Sequence, residues 1–232
     1  MTTADRGISY SKALAIVWLL IALFVANFAT LSVLQYNAFE TGAADLGNMN
    51  QAAWYTLHKG YPADTYAGRT ITRFGGHVEP IFYPLAVVYA LHQQPETLLL
   101  LQATVVALGA LAAYMLARDV LGGEASGLSF ALVYLLLPSL QAATLTEFHP
   151  VALAAPFLLF AFYYLQKGSY GRFIVFAALA MSTKEDMSLL VVMLGLLALV
   201  VSPRHQRAQR AGLAAIIGGI VWFIVTVYAI IP

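Results

Sequence analysis

A mainly apolar run extends from Ala13 to Tyr36, longer than the ~20 residues that cross a bilayer's hydrocarbon layer. It also exceeds a signal-peptide core of roughly 7 to 15 residues and shows no small-x-small cleavage site, so it predicts a retained span with a cytoplasmic N-terminus. From Asn37 to Glu79 the chain turns polar and aromatic, punctuated by Gly42, Gly47, Gly60, Pro62, Gly68, Gly75 and Gly76. Inside this loop Leu46 to Leu57 predicts a short helix lying on the membrane surface. Pro80 to Leu91 is apolar but too short to span and predicts a second interfacial or re-entrant helix. Further spans are expected at Glu96 to Ala117, Ala125 to Ala143, Pro150 to Gln166, Arg172 to Thr183, Met187 to Val201 and Gly212 to Ile231. Pro138 and Pro156 are expected to kink theirs. The fold class is therefore an all-α polytopic transmembrane helical bundle of about seven spans. It forms a single integral membrane domain over 1–232: a first span at 13–36, an outer loop at 37–95 and six further spans over 96–231.

Composition agrees with this pattern. Hydrophobic residues make up 61% and charged residues 10% of the chain, against about 25% charged in soluble domains. A net charge of +1 argues against nucleic acid as a partner. With no cysteine, chemistry must come from carboxylates, imidazoles, amines and hydroxyls. Residues 172–201 could be one long helix or a hairpin, and the positive-inside rule favours the hairpin. It gathers Arg6, Lys12, Arg118, Lys167, Arg172, Arg204, Arg207 and Arg210 on the cytoplasmic side of a plasma membrane, leaving Lys59, Arg69, Arg73 and Lys184 outside. Most acidic residues then fall outside.

Four polar groups share that outer face: Asp45, His77-Val-Glu79-Pro80, Glu147-Phe-His149-Pro150 and Lys184-Glu185-Asp186. Each His/Glu pair precedes a proline that suits the start of a helix. Such a pair can cap a helix, hold a phosphate beside free backbone N–H groups, or, as two His and two carboxylates, hold a divalent metal. Lys184, Glu185 and Asp186 interrupt an otherwise apolar stretch, where adjacent charges are expensive. Hairpin arms of about 12 and 15 residues reach only roughly 18 and 22 Å at helical rise, which predicts a tip sunk in a protein-lined recess. Lys184 there suits a phosphate, with the carboxylates orienting it or a metal. Asp45 alone reads first as the cap of the helix beginning at Leu46. His58, Lys59, Arg69 and Arg73 read as solvated loop charges or guides for an anionic headgroup, His92 and His205 as structural. Ala103, Ala107, Ala110 and Tyr114 read as a packing stripe.

The ordered set Asp45-Leu-Gly-x-x-x-Gln51-x-x-Trp54, His77-x-x-Pro80, Phe148-His-Pro150 and Lys184-Glu-Asp186, after a first span, resembles a bacterial and archaeal family of predicted membrane proteins of unknown function. That family is grouped with GT-C-fold glycosyltransferases, and the resemblance runs from about Ala13 to Val201. It implies a GT-C-like N-terminal module that transfers a sugar from a polyprenyl-phosphate carrier at the outer membrane face. Asp45 would be the catalytic base, and His77, His149 and Lys184 would stabilise the leaving phosphate. Glu79 would belong to the same substrate-binding set, with Glu147, Glu185 and Asp186 as supporting partners or metal ligands. The metal-bridging acidic neighbour seen in GT-C loops is missing beside Asp45. Because GT-C enzymes usually carry more spans, a shortened module is also expected. The rival class is a non-catalytic structural or accessory subunit with membrane-protein partners.

Overall fold

The computed structural model describes residues 8–65, 68–201 and 205–231, so Arg6 and Arg204 of the expected cytoplasmic set lie outside the described residues. Among the described residues ten α-helices follow one another: α1 (Tyr10–Asn37), α2 (Asn48–Lys59), α3 (Phe82–Tyr89), α4 (Pro95–Leu121), α5 (Glu124–Leu136), α6 (Pro138–Leu145), α7 (Ala154–Gln166), α8 (Tyr170–Met181), α9 (Met187–Val201) and α10 (Gln206–Val225). A two-stranded antiparallel ribbon, β1 (Ala63–Asp64) with β2 (Ile71–Thr72), sits in the long loop; the hydropathy pattern does not foretell it.

Among the described residues three helices are long and apolar enough to cross a membrane: Tyr10–Asn37, Pro95–Leu121 and Gln206–Ile230, the last including a π-helical end. The expected continuous span at 125–143 is broken. Pro138 has no N–H to donate and disfavours helical geometry at Leu137, which is extended (φ −60°, ψ 119°), so α5 and α6 meet at a 48° bend. Counted as one span they make a fourth. The remaining expected spans are shorter apolar helices at Pro150–Gln166, Tyr170–Met181 and Met187–Val201. Pro156 does not kink its helix; it occupies the first turn of α7, where a missing N–H costs little.

The bundle has two distinct ends. At one, which we call the basic end, Arg118 lies over the Tyr10 ring at 5.0 Å, Lys167 pairs with Asp119 at 2.7 Å, and the Tyr170 hydroxyl reaches His205 Nδ1 at 3.3 Å. The last contact brings the start of α8 beside the start of α10, so residues 170–201 form a hairpin. At the opposite, loop end lie the segments 38–65 and 68–94, the 146–153 turn and the 182–186 turn.

Close backbone approach sets the packing. The stripe Ala103, Ala107, Ala110 and Tyr114 of α4 is fully buried, three of these residues within a core shared with Val17, Ile21 and Phe24 of α1 and Ala131 and Tyr134 of α5. A Cβ on Gly109 would collide with the Tyr134 hydroxyl, and one on Gly127 would lie 2.6 Å from the Tyr114 ring. Without Cβ atoms at these two crossings the helices can close. A second core joins α2, α3 and α4 through Met49, Ala52, Phe82, Leu85, Tyr89, Leu98 and Leu99, seating the loop end on the bundle.

Candidate functional site

Asp45 lies in a five-residue π turn, Ala43–Gly47, that leads into α2, and it is exposed. The capping expected of it is performed from far away by Glu147. The Gly42 N–H donates to Glu147 Oε1 at 2.6 Å and the Leu46 N–H to Oε2 at 2.7 Å. A carboxylate that receives two amide hydrogens is a charge-assisted clamp. It leaves the Asp45 carboxylate without that duty.

Glu147 reaches this position because its backbone is left-handed, φ +48°, a sparsely populated conformation for a residue with a side chain. Gln102, wholly buried in α4, holds the turn. Its amide nitrogen donates to the carbonyls of Ala143, Thr144 and Glu147, and its carbonyl accepts the His149 N–H at 2.8 Å. Sequence reasoning passed over Gln102, although one amide inside the run Leu98-Leu-Leu-Leu-Gln-Ala is the kind of polar group that needs a partner at membrane depth.

His77 and Glu79, adjacent in sequence reasoning, part company in space. His77 Nδ1 meets Glu185 Oε1 at 3.0 Å, and the second oxygen of Glu185 accepts the Val78 N–H at 3.1 Å. The Ile81 N–H donates to the Ser182 carbonyl at 2.9 Å, so the 77–81 strap is tied along the 182–185 turn. Burial raises the Glu185 carboxyl, but the hydrogen bonds it accepts, including those from His77 and the Val78 amide, outweigh burial and hold it below its ordinary value. Glu79 instead accepts from Arg73 Nε at 3.0 Å and Nη2 at 2.7 Å, with both side chains buried. Burial pushes the Glu79 carboxyl up against the opposing pull of that guanidinium. Arg73 also approaches Asp64 at 4.0 Å and stacks over Phe82 at 5.7 Å. Arg73 is thus an internal strut and not the solvated loop charge expected.

The expected helix starts differ as well. Pro150–Leu153 is a single 3-10 turn ahead of α7, and Pro80 precedes α3 by a turn. His149 Nδ1 donates to the Thr146 carbonyl at 2.9 Å, which fixes the proton there and leaves Nε2 as the ring atom available to a ligand. Paired through Nδ1 with an acidic Glu185, His77 is held in the same tautomer. Lys184 pairs loosely with Asp186 at 3.5 Å, whose Oδ1 is buried without a hydrogen-bond partner among the described residues.

These elements enclose a cavity of about 290 Å³ lined by Asp45, Asn48, Arg73, His77, Glu79, His149 and Lys184, with Ala44, Met49, Pro150 and Val151. Groups from residues 45 to 184 therefore share one wall. Glu147 and Glu185 are committed to holding the frame, and Asp186 faces Lys184 from beside it. Among the described residues no three His, Asp or Glu side chains are grouped to hold a metal ion. The reason is visible in the partners: each glutamate of the two-His, two-carboxylate arrangement left open by the sequence already serves Arg73 or backbone amides. Asn48, which sequence reasoning missed, lines the cavity with an Oδ1 that is buried and unpartnered among the described residues.

An α-helical membrane protein with a polar cavity at its loop end is the class so defined. Over residues 14–232 the chain matches the family described as predicted membrane protein (DUF2079), and it belongs to that family. No curated protein matches it.

Proposed function

We propose that the loop-end cavity binds the phosphate of a polyprenyl-phosphate-linked sugar and that the protein transfers the sugar to an acceptor hydroxyl, as a GT-C-like module. One observation carries the proposal: Asp45, His77, His149 and Lys184, each from a different segment, line a single cavity the size of a small headgroup. The exposed Asp45 carboxylate would take the acceptor's proton while the sugar leaves its phosphate. The lysine ammonium and the Nε2 atoms of the two imidazoles, when protonated, would stabilise the charge left on that phosphate. Glu147 and Glu185 act as positioning residues, since they hold the Asp45 turn and the His77 ring. The same reading takes the loop end as the outer face, the N-terminus as cytoplasmic, and α7, α8 and α9 as short spans completing about seven.

The test is binding and turnover of purified protein in lipid nanodiscs with polyprenyl-phosphate-linked hexoses. Wild type should bind saturably, Lys184→Ala and His149→Ala should each weaken binding about tenfold, and Asp45→Asn should keep binding while losing transfer. Well-folded wild type that binds no carrier would sink the proposal and leave a structural subunit of a membrane complex as the reading to pursue.

A further inference from the structure

A second cavity of about 570 Å³ adjoins the first, lined by Asn48, Asp64, Ile71, Thr72, Arg73, Gly75, Gly76 and His77. The two share Asn48, Arg73 and His77, so one ligand could enter both. Their chemistry differs. The smaller holds Asp45, His149 and Lys184, while the larger has none of these and its charged wall is internally matched, Arg73 meeting Glu79 at 2.7 Å and Asp64 at 4.0 Å. What it offers a ligand is glycine backbone, the Asn48 amide and the Thr72 hydroxyl, which also donates to the Pro62 carbonyl at 3.3 Å and accepts the Phe74 N–H at 3.4 Å. The Asn48 oxygen is buried just beneath the cavity surface and accepts no hydrogen bond among the described residues, so a turn of this amide toward the cavity would give it a ligand hydroxyl as partner. The volume lies within the range of about 300–1,000 Å³ typical of small-molecule sites.

From this geometry we infer that the larger cavity is an uncharged, hydroxyl-reading subsite for a sugar ring, opening onto the phosphate cavity across Asn48, Arg73 and His77. The inference rests on the proposed carrier binding in the smaller cavity. The ring could belong to the carrier's own sugar or to the acceptor, and both are hydroxyl-rich and neutral.

Gly75 supplies a clean probe, because a Cβ there meets nothing within 4 Å and its φ is not in the left-handed region. Gly75→Trp should fill the larger cavity without touching the smaller one, which Gly75 does not line. Three probes are titrated against wild type, Gly75→Trp and Asn48→Leu in nanodiscs: polyprenyl phosphate, polyprenyl-phosphoryl hexose, and neutral methyl hexosides added over saturating polyprenyl phosphate. If the ring is the carrier's, wild type binds the hexose-bearing carrier at least tenfold more tightly than the bare one, both variants lose that gain, and Gly75→Trp, which does not line the smaller cavity, still holds the bare carrier normally. If it is the acceptor's, the hexose adds nothing to carrier binding, but methyl hexosides bind and both variants abolish that. The inference is overturned if wild type gains nothing from any sugar, or if Gly75→Trp and Asn48→Leu both leave every sugar-dependent gain intact. Wild type that fails to bind bare polyprenyl phosphate overturns the carrier reading itself, and the subsite with it.

Discussion

At the scale of single residues, the site divides into groups that face the cavity and groups that hold those in place, and substitution should separate them. Asp45 is exposed and bears no load, so Asp45→Asn should leave the thermal midpoint within about 2 °C of wild type while transfer falls by roughly 100-fold or more, checked by scanning fluorimetry beside a turnover assay. Glu147 shows the opposite pattern. Its two oxygens each accept an amide hydrogen, and glutamine retains one acceptor while turning an NH₂ toward the other donor. Glu147→Gln should therefore cost about 1–3 kcal/mol in denaturation and should not be milder than Glu147→Ala. Glu185 gives a pH signature. Its folded pKa lies below the unfolded value of about 4.3, so its contribution is present above that pH and is lost as pH falls through the lower, folded value. The stability gap between wild type and Glu185→Gln should stay constant from neutrality to about pH 5 and close on further acidification.

Among helices, breaks and crossings are the informative places. The α5–α6 bend does not depend on Pro138 alone, because Gln141 Nε2 donates to the Leu135 carbonyl at 3.0 Å and so occupies an oxygen released by the break. Pro138→Ala should leave the bend in place, whereas Pro138→Ala with Gln141→Leu should let the two pieces straighten; distances between spin labels on α5 and α6 report which occurs. The α9–α10 crossing is a close approach of two backbones. A Cβ on Gly212 would sit 2.8 Å from the Gly195 carbonyl oxygen, while one on Gly218 meets nothing within 4 Å. Gly212→Leu should destabilise by roughly 1–3 kcal/mol and Gly218→Leu by little, a contrast that thermal unfolding in one detergent can read.

For the molecule as a whole, the two ends can be assigned to the two sides of the membrane by labelling, since the chain has no cysteine of its own. Gly75→Cys and Gly171→Cys occupy exposed positions with nothing within 4 Å of the new Cβ, at the loop end and the basic end respectively. In the proposed orientation a membrane-impermeant maleimide modifies Gly75→Cys in intact cells and Gly171→Cys only after permeabilisation. Helix positions were legible in the sequence because long apolar runs leave few alternatives, and the 172–201 hairpin was legible because only a hairpin puts Lys167 and Arg172 on the same side as the arginines that follow residue 201. The break at Leu137 was half legible: Pro138 marked it, but a kink and a break look alike in sequence. The members of the site were legible as residue types, yet their partners were not. His77 with Glu185, and Glu147 with Gly42 and Leu46, are separated by 101 to 108 residues, beyond any local periodicity. Nor could sequence tell that Arg73 would turn inward to Glu79. The Glu147 clamp also imposes an order on synthesis. The turn that carries Asp45 leaves the ribosome first, yet the oxygen atoms that shape it arrive about 100 residues later. At about 5–20 residues per second, that is a wait of roughly 5–20 s, during which the first loop stands unfinished in whichever compartment receives it. Nascent chains released before residue 147 would carry every atom of the π turn and still lack its shape.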